Sequence, residues 1–525
     1  MTNPSWKTAV HKKRQDQLAS IPSAWRLSQS AIESAPPNAL DTIRSCGLLS
    51  PQEIEWTETT DIQVLLSKLA SGEITSLQLT TAFSKRAAIA QQTTKCLTEI
   101  FFEQALARAK ELDNILQTTG KVTGPLHGLP VSVKDRFQIE GMDTTVGWVG
   151  LVNKPAERSC SIVQLLESMG AVLYVKTNIP QSLMMSDSYN HVFGQSVNAF
   201  NSQLISGGSS GGEGALVGAR GSPLGIGTDI GGSIRIPANL QGLYSICPTT
   251  GRVPWDCSFL STVEYFMQAL LDSEPWDVDP GCIPIPWRKE VAALPTRKLR
   301  LGVVFDDGVV KPQPPVARAL REVVEKLRLA GHEVVEWDTS LHVKGTNLWT
   351  KAILSDGGQH CKDLCDVIGE PLIEGMIVGT PSDELTIKER EKLEEEKWAF
   401  QESFAKQWKQ AGIDAILMPT SPWVGFKPKE WVQSKQWIGY TGLWNFLNYA
   451  GMTVPVAKAD FTLDQPDQEW LEHTPRNESD AYNHQQYDIG LVQGMHICVQ
   501  IVGGRFGEEK AVSVAKVLDT ILPHA

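Results

Sequence analysis

Apolar positions along the chain follow two different periods. Ile62, Leu65, Leu66 and Leu69 recur at the three- and four-residue steps that place side chains on one face of a helix. Asp61 stands where a helix cap is expected, and the pattern runs to Gly72. Further helices are expected over 76–92 and 98–116. From residue 130 short β-branched runs alternate with amphipathic stretches. Strands are expected at 131–133, 172–175, 299–305, 333–337, 415–418 and 499–502. Helices are expected at 162–169, 316–329, 400–410 and 508–522. Alternation of this kind predicts an α/β layered fold. Residues 1–60 are polar and interrupted by proline, and read as an N-terminal arm in which Lys12-Lys13-Arg14 forms a solvated face. The Lys388-Glu389-Arg390-Glu391-Lys392 run within 380–398 reads as one exposed helix. Residues 457–490, acidic and poor in aromatics, read as a long surface excursion.

Composition narrows the function classes. With 525 residues, 42% of them hydrophobic, the chain can bury a large core. Its formal net charge of −12 opposes nucleic-acid binding, which draws on basic patches. No apolar run approaches the roughly 20 residues of a membrane-spanning helix. The nine cysteines are scattered and show no zinc-binding spacing; Cys361 and Cys365 fall on one helix face. That usage fits a reducing compartment, and the N-terminus lacks the apolar core of a secretion signal, so the expected location is cytoplasmic.

The chemistry concentrates in residues 207–235, GGSSGGEGALVGARGSPLGIGTDIGGSIR. Ser209 and Ser233 each sit inside a glycine cluster. Glycine lets backbone N–H groups approach a ligand closely, and serine supplies a nucleophilic or proton-relaying hydroxyl. Ile226, Ile230, Ile234 and Ile236 lace the stretch, which argues against a flexible linker. Gly225-Ile226-Gly227 with Gly231 misses the dinucleotide fingerprint by one residue. Gly207-Gly208-Ser209-Ser210-Gly211 satisfies G-x-S-x-G, but the loop-like Asn201-Ser202-Gln203 stands where that elbow requires a strand. Upstream, Gly128-Leu129-Pro130-Val131-Ser132-Val133-Lys134-Asp135 reads as a strand that carries Lys134 inward or to its end. By spacing alone, an ordinary edge-strand lysine is the preferred reading.

GLPVSVKD, GGSSGGEGAL and GTDIGGSIRIPA, in this order, resemble the amidase signature family. Weaker echoes at 448–455 and 499–503 extend the likeness over most of the chain from about residue 60, and Ile283-Pro284-Ile285-Pro286-Trp287-Arg288 is similar to the fungal acetamidase-like branch. The resemblance implies one domain over 61–525, a mixed β-sheet sandwiched between α-helical layers. It implies a serine amidase that cleaves a small or medium carboxamide through an acyl-enzyme. Ser233 would be the nucleophile, Ser209 the bridging serine and Lys134 the base, with the N–H groups of Ile230, Gly231, Gly232 and Ser233 as oxyanion hole and Leu183 lining the acyl pocket. Neither cofactor nor metal is implied; the partner is a small-molecule amide, and a homodimer is left open. A subunit of a tRNA-dependent amidotransferase and a noncatalytic or specialised biosynthetic homologue remain as alternatives. Asp229 and Arg235 read as a structural ion pair, and Thr228 as a side-chain brace for the loop. The chain departs from the family after Pro254, where a short segment is missing, and at Cys247 and Ala199, where lysine and proline are usual.

Overall fold

The computed structural model describes residues 6–253, 258–260, 263–430 and 437–522. Its centre is an eleven-stranded sheet. In chain order the strands are β1 (Leu97–Ile100), β2 (Pro130–Lys134), β3 (Val172–Thr177), β4 (Gly225–Gly227), β5 (Ser245–Cys247), β6 (Ser258–Leu260), β7 (Arg300–Val303), β8 (Glu333–Glu336), β9 (Ala415–Pro419), β10 (Ala450–Lys458) and β11 (His496–Gly504). Across the sheet they run β1-β3-β2-β4-β6-β5-β10-β11-β9-β7-β8. The sheet is mixed: β2 is parallel to β3 and β4, β7 is parallel to β8 and β9, and the other pairings are antiparallel.

Eight helices bear on the argument: α1 (Trp6–Ala19), α2 (Ser76–Thr94), α3 (Gly211–Gly218), α4 (Arg235–Leu240), α5 (His342–Ile353), α6 (Ile387–Ala411), α7 (Gly439–Leu447) and α8 (Glu508–Ile521). Strand alternation sorts residues between two helical layers. Ala415, Leu417, Val499 and Ile501 join the cluster that contains Ala511, Val514 and Leu518 of α8. Ile416, Met418 and Val502 join a separate cluster with Trp349 of α5, Phe400 and Phe404 of α6, and Trp444 of α7. Each Leu, Ile, Val, Phe or Met among them, fully enclosed, contributes about 1.5–3 kcal/mol over its exposed state. The sheet is therefore sandwiched between helices, as the resemblance implies.

Most expected elements lie within a few residues of their predicted bounds. Asp61 caps Ile62–Ala70 by accepting from the Gln63 N–H. Four readings change. The helix expected from 98 begins at Phe102, because Leu97–Ile100 pairs with β3 at the sheet edge. The two helices expected over 380–398 and 400–410 are one 25-residue helix, α6, opened by a Thr386–Glu389 capping box and closed by Gly412 at φ 60°. Residues 457–490 are not a bare excursion: Arg318 binds Asp464 and His473 binds Asp480, both carboxylates buried. Finally, Lys12-Lys13-Arg14 is not uniformly solvated. Lys12 pairs with Asp16 in the open, but Lys13 binds Glu99 and Asp143 while Arg14 donates to the Val192 carbonyl. These contacts dock α1 onto the body of the protein.

Among the described residues no helix is long and apolar enough to cross a membrane, and no cluster of potential ligands could hold a metal ion. The expected deletion after Pro254 falls on residues outside the described set at 254–257 and 261–262. Strand β6, between these gaps, takes its place between β4 and β5.

Candidate active site

Residues of β2 alternate between the two faces of the sheet. Val131 and Val133 enter the large core, whereas Ser132 and Lys134 point to the other side. Lys134 is fully buried. Its Nζ lies 2.8 Å from Ser209 Oγ, 2.8 Å from Thr228 Oγ1 and 3.3 Å from the Thr228 carbonyl oxygen. Burial, with the nearby Arg136 charge, holds its pKa well below the ordinary lysine range, against the opposing pull of Asp229 and Glu213. The strand thus carries a lysine inward to a pair of hydroxyls, where its proton is poorly held.

Ser209 precedes α3 and follows a cis Gly208–Ser209 peptide. The loop lies tight against the preceding chain: a Cβ on Gly208 would fall 2.5 Å from the Asp187 nitrogen and the Met185 carbonyl oxygen. Ser188 Oγ braces it, donating to the Gly207 carbonyl and accepting from the Gly211 N–H, both at 3.0 Å. As anticipated, no strand leads into this G-x-S-x-G.

The Ser233 turn connects directly to this loop, since the Ser210 N–H donates to the Ser233 carbonyl at 3.0 Å. Asp229 organises the turn. It accepts from the Gly232 N–H at 2.7 Å, from the Ile234 N–H at 3.1 Å, and from Arg235 Nε and NH2 at 3.0 and 2.9 Å. Burial alone would raise the Asp229 carboxyl, but the Arg235 charge and these donors hold it well below the usual carboxylate range. Arg235 in turn reaches Gln500 on β11 at 2.7 Å and Asn445 on α7, so the turn is tied to the sheet and to a helix. Asp229 and Arg235 thus form the structural pair that the sequence suggests. Gly232 has φ 127°, and a Cβ there would fall 2.3 Å from Thr441 Oγ1. Only glycine fits.

Two expectations shift. The Thr228 hydroxyl meets the Lys134 amine, in place of the loop brace that the sequence suggests. The Gly232 N–H, expected among the oxyanion donors, is directed at Asp229 instead. A further residue went unassigned: Glu213 on α3, fully buried, accepts from Ser132 Oγ at 2.6 Å and Thr177 Oγ1 at 2.8 Å. Burial pushes its carboxyl up to about 8, against the opposing effect of those hydroxyls and of Lys134. A lone carboxyl in an otherwise small and apolar run was the available signal.

A pocket opens beside Ser233, Gly208, Ile230 and Gly231. Leu183, Met184, Met185, Ile236, Ile377, Ile438 and Trp349 supply its apolar wall. The free space within it that a water centre can occupy is ≈ 30 Å³. The site therefore offers a buried amine beside a serine hydroxyl, a second serine on a glycine turn, and an apolar recess next to that serine.

The chain belongs to the amidase family: the family model matches residues 78–257 and 259–512. The two matched segments part at Ser258, next to the departure seen in the sequence. The acetamidase of Emericella nidulans is 33% identical, over 99% of this chain and 98% of that protein. Amidase 1 of Gibberella moniliformis is 36% identical, over 88% of this chain and 93% of its own length. Among solved structures, fatty acid amide hydrolase matches with a TM-score of 0.91 at 30% identity, covering 98% of this chain and 95% of that one. The protein is an amidase.

Proposed function

We propose that this amidase hydrolyses a small or medium carboxamide through an acyl-enzyme on Ser233, with Ser209 and Lys134 relaying the proton. The carrying observation is the 2.8 Å contact between Ser209 Oγ and a lysine amine whose pKa burial holds well below its ordinary value. A neutral amine has two N–H donors and one lone pair. The Thr228 carbonyl can only accept and the Thr228 hydroxyl can accept as well, so both N–H groups have a partner there. The lone pair is then left for the Ser209 hydroxyl. Ser209 gives its proton to Lys134 and takes one from Ser233 as Ser233 attacks the amide carbon. The relay runs backwards to protonate the leaving nitrogen, and water repeats the cycle to release the carboxylate.

With the Gly232 N–H directed at Asp229, the oxyanion falls to the N–H groups of Ile230, Gly231 and Ser233. The acyl group occupies the recess beside Leu183. The scattered cysteines of the sequence fit a reducing, cytoplasmic setting. Labelling by a serine-directed fluorophosphonate tests the assignment. Label and amide turnover are both expected to vanish in Ser233→Ala, and undiminished labelling of that variant would overturn it.

A further inference from the structure

Trp349 lies outside every motif and has no part in the relay, yet it grips the nucleophile turn. Its ring is 5% exposed, and its indole Nε1 donates to the Ile230 carbonyl at 3.0 Å. The ring abuts Gly231, where a Cβ would fall 2.7 Å from Trp349 Cζ2, and meets Gly442 of α7, where a Cβ would fall 3.4 Å from Trp349 Cδ2. The indole is thus packed against two glycines while forming part of the pocket wall.

Two consequences follow from this placement. In a trans peptide unit the C=O and N–H point in opposite directions. Holding the Ile230 carbonyl toward Trp349 therefore fixes the direction of the Gly231 N–H, away from the indole. The next unit is fixed in the same manner, with Thr441 Oγ1 donating to the Gly231 carbonyl and the Gly232 N–H donating to Asp229. The second consequence concerns size. Trp349 is the bulkiest residue of the apolar wall beside Ser233, and its burial leaves it little room to yield.

We propose that Trp349 is both a specificity-determining and a positioning residue of this amidase. Its ring restricts the acyl group to short aliphatic chains, and its N–H orients the Ile230–Gly231 peptide toward the oxyanion. The proposal rests on the reading of Ser233 as the acylated residue.

The test measures kcat and KM for unbranched amides from acetamide to octanamide with the wild-type enzyme, Trp349→Ala and Trp349→Phe, alongside fluorophosphonate labelling of wild type and Ser233→Ala. A methylene that a pocket cannot accommodate is worth roughly 10–200-fold in specificity. Wild-type kcat/KM is expected to fall at least about tenfold between butyramide and hexanamide, and Trp349→Ala to raise the hexanamide-to-acetamide ratio by about tenfold or more. Trp349→Phe keeps an aromatic ring but loses part of the bulk and the N–H. It should move the length cut-off less than Trp349→Ala does and lower kcat for acetamide by roughly three- to tenfold with KM little changed, as for a loss felt in the transition state.

A flat wild-type profile, an unmoved ratio in Trp349→Ala, or an unchanged kcat in Trp349→Phe would overturn the assignment. The wild-type profile and the phenylalanine variant decide the matter even if the alanine variant does not fold. Should Ser233→Ala label like wild type, the acyl-serine reading fails first; label lost with an unmoved length ratio rejects the role of Trp349 alone.

Discussion

Lys134→Met separates the chemical from the structural effect of the buried amine. The folded protein holds this lysine well below its ordinary value of 10.5, chiefly by burial. In the unfolded chain the amine titrates normally, so between the two values the unfolded state carries one more proton than the folded state. Stability therefore rises with pH through that window, by about 1.4 kcal/mol per pH unit, and levels off near the unfolded value. From about pH 8 to about pH 9.5, an amine neutral in the fold contributes a gain of about 2 kcal/mol that the methionine variant lacks.

The substitution also removes the contacts to Ser209 and Thr228, each hydrogen bond worth about 1 kcal/mol. Against that loss, keeping the amine neutral in the fold at about pH 8 costs about 1.4 kcal/mol for each pH unit below its ordinary value, about 3 kcal/mol in all, which methionine does not incur. At about pH 8 the variant is expected to be at least as stable as wild type, while amide turnover falls by about 10²–10⁴-fold. Denaturant midpoints at both pH values, measured beside ammonia release, provide the assay. Equal pH slopes in the two proteins would show that Lys134 stays protonated in the fold and cannot take a proton from Ser209. Near-normal turnover would remove it from the mechanism altogether.

Two other substitutions probe the supporting residues. Asp229→Asn leaves the buried Arg235 guanidinium uncompensated, a loss of about 3–5 kcal/mol, and turns an amide NH2 toward donors that Asp229 accepts from; a lowered melting temperature and slower fluorophosphonate labelling are expected, and unchanged melting would refute the anchoring role. Burial holds the Glu213 carboxyl near 8, above its ordinary 4.5, so the folded state binds the extra proton and stability declines as pH rises between those values. Glu213→Gln should flatten that decline by about 1.4 kcal/mol per pH unit, read from denaturant midpoints at about pH 5.5 and about pH 7.5, and parallel declines would reject it.

Much of the fold was legible because amphipathic helices and buried strands write their period into the chain. Asp61 announced its helix by capping chemistry, and the Ala415–Pro419 strand by an unbroken apolar run. Leu97–Ile100 was misread because a four-residue edge strand is too short to show a period of its own; its partner β3 decides it. Lys13 was misread because nothing local to it reveals Glu99 and Asp143, which lie far away in the chain. In the site, the glycine-flanked serines were conspicuous. Trp349, Asn445 and Thr441 were not, since single polar or aromatic residues on amphipathic helices look like ordinary core or surface until a neighbour is placed beside them.

By itself the sequence pointed to the class of chemistry: the glycine-flanked Ser209 and Ser233 suggested acyl transfer, and the resemblance of its three motifs to the amidase signature family, rather than spacing, singled out Lys134. The tertiary structure decided the rest. It set the protonation tendency of Lys134, which depends on complete removal from water, and it turned the Gly232 N–H toward Asp229. It also brought Gln500 from one strand and Asn445 and Trp349 from two helices onto a single six-residue turn. Desolvation and hydrogen-bond direction are properties of what surrounds a residue, and those surroundings form only when distant parts of the chain pack together.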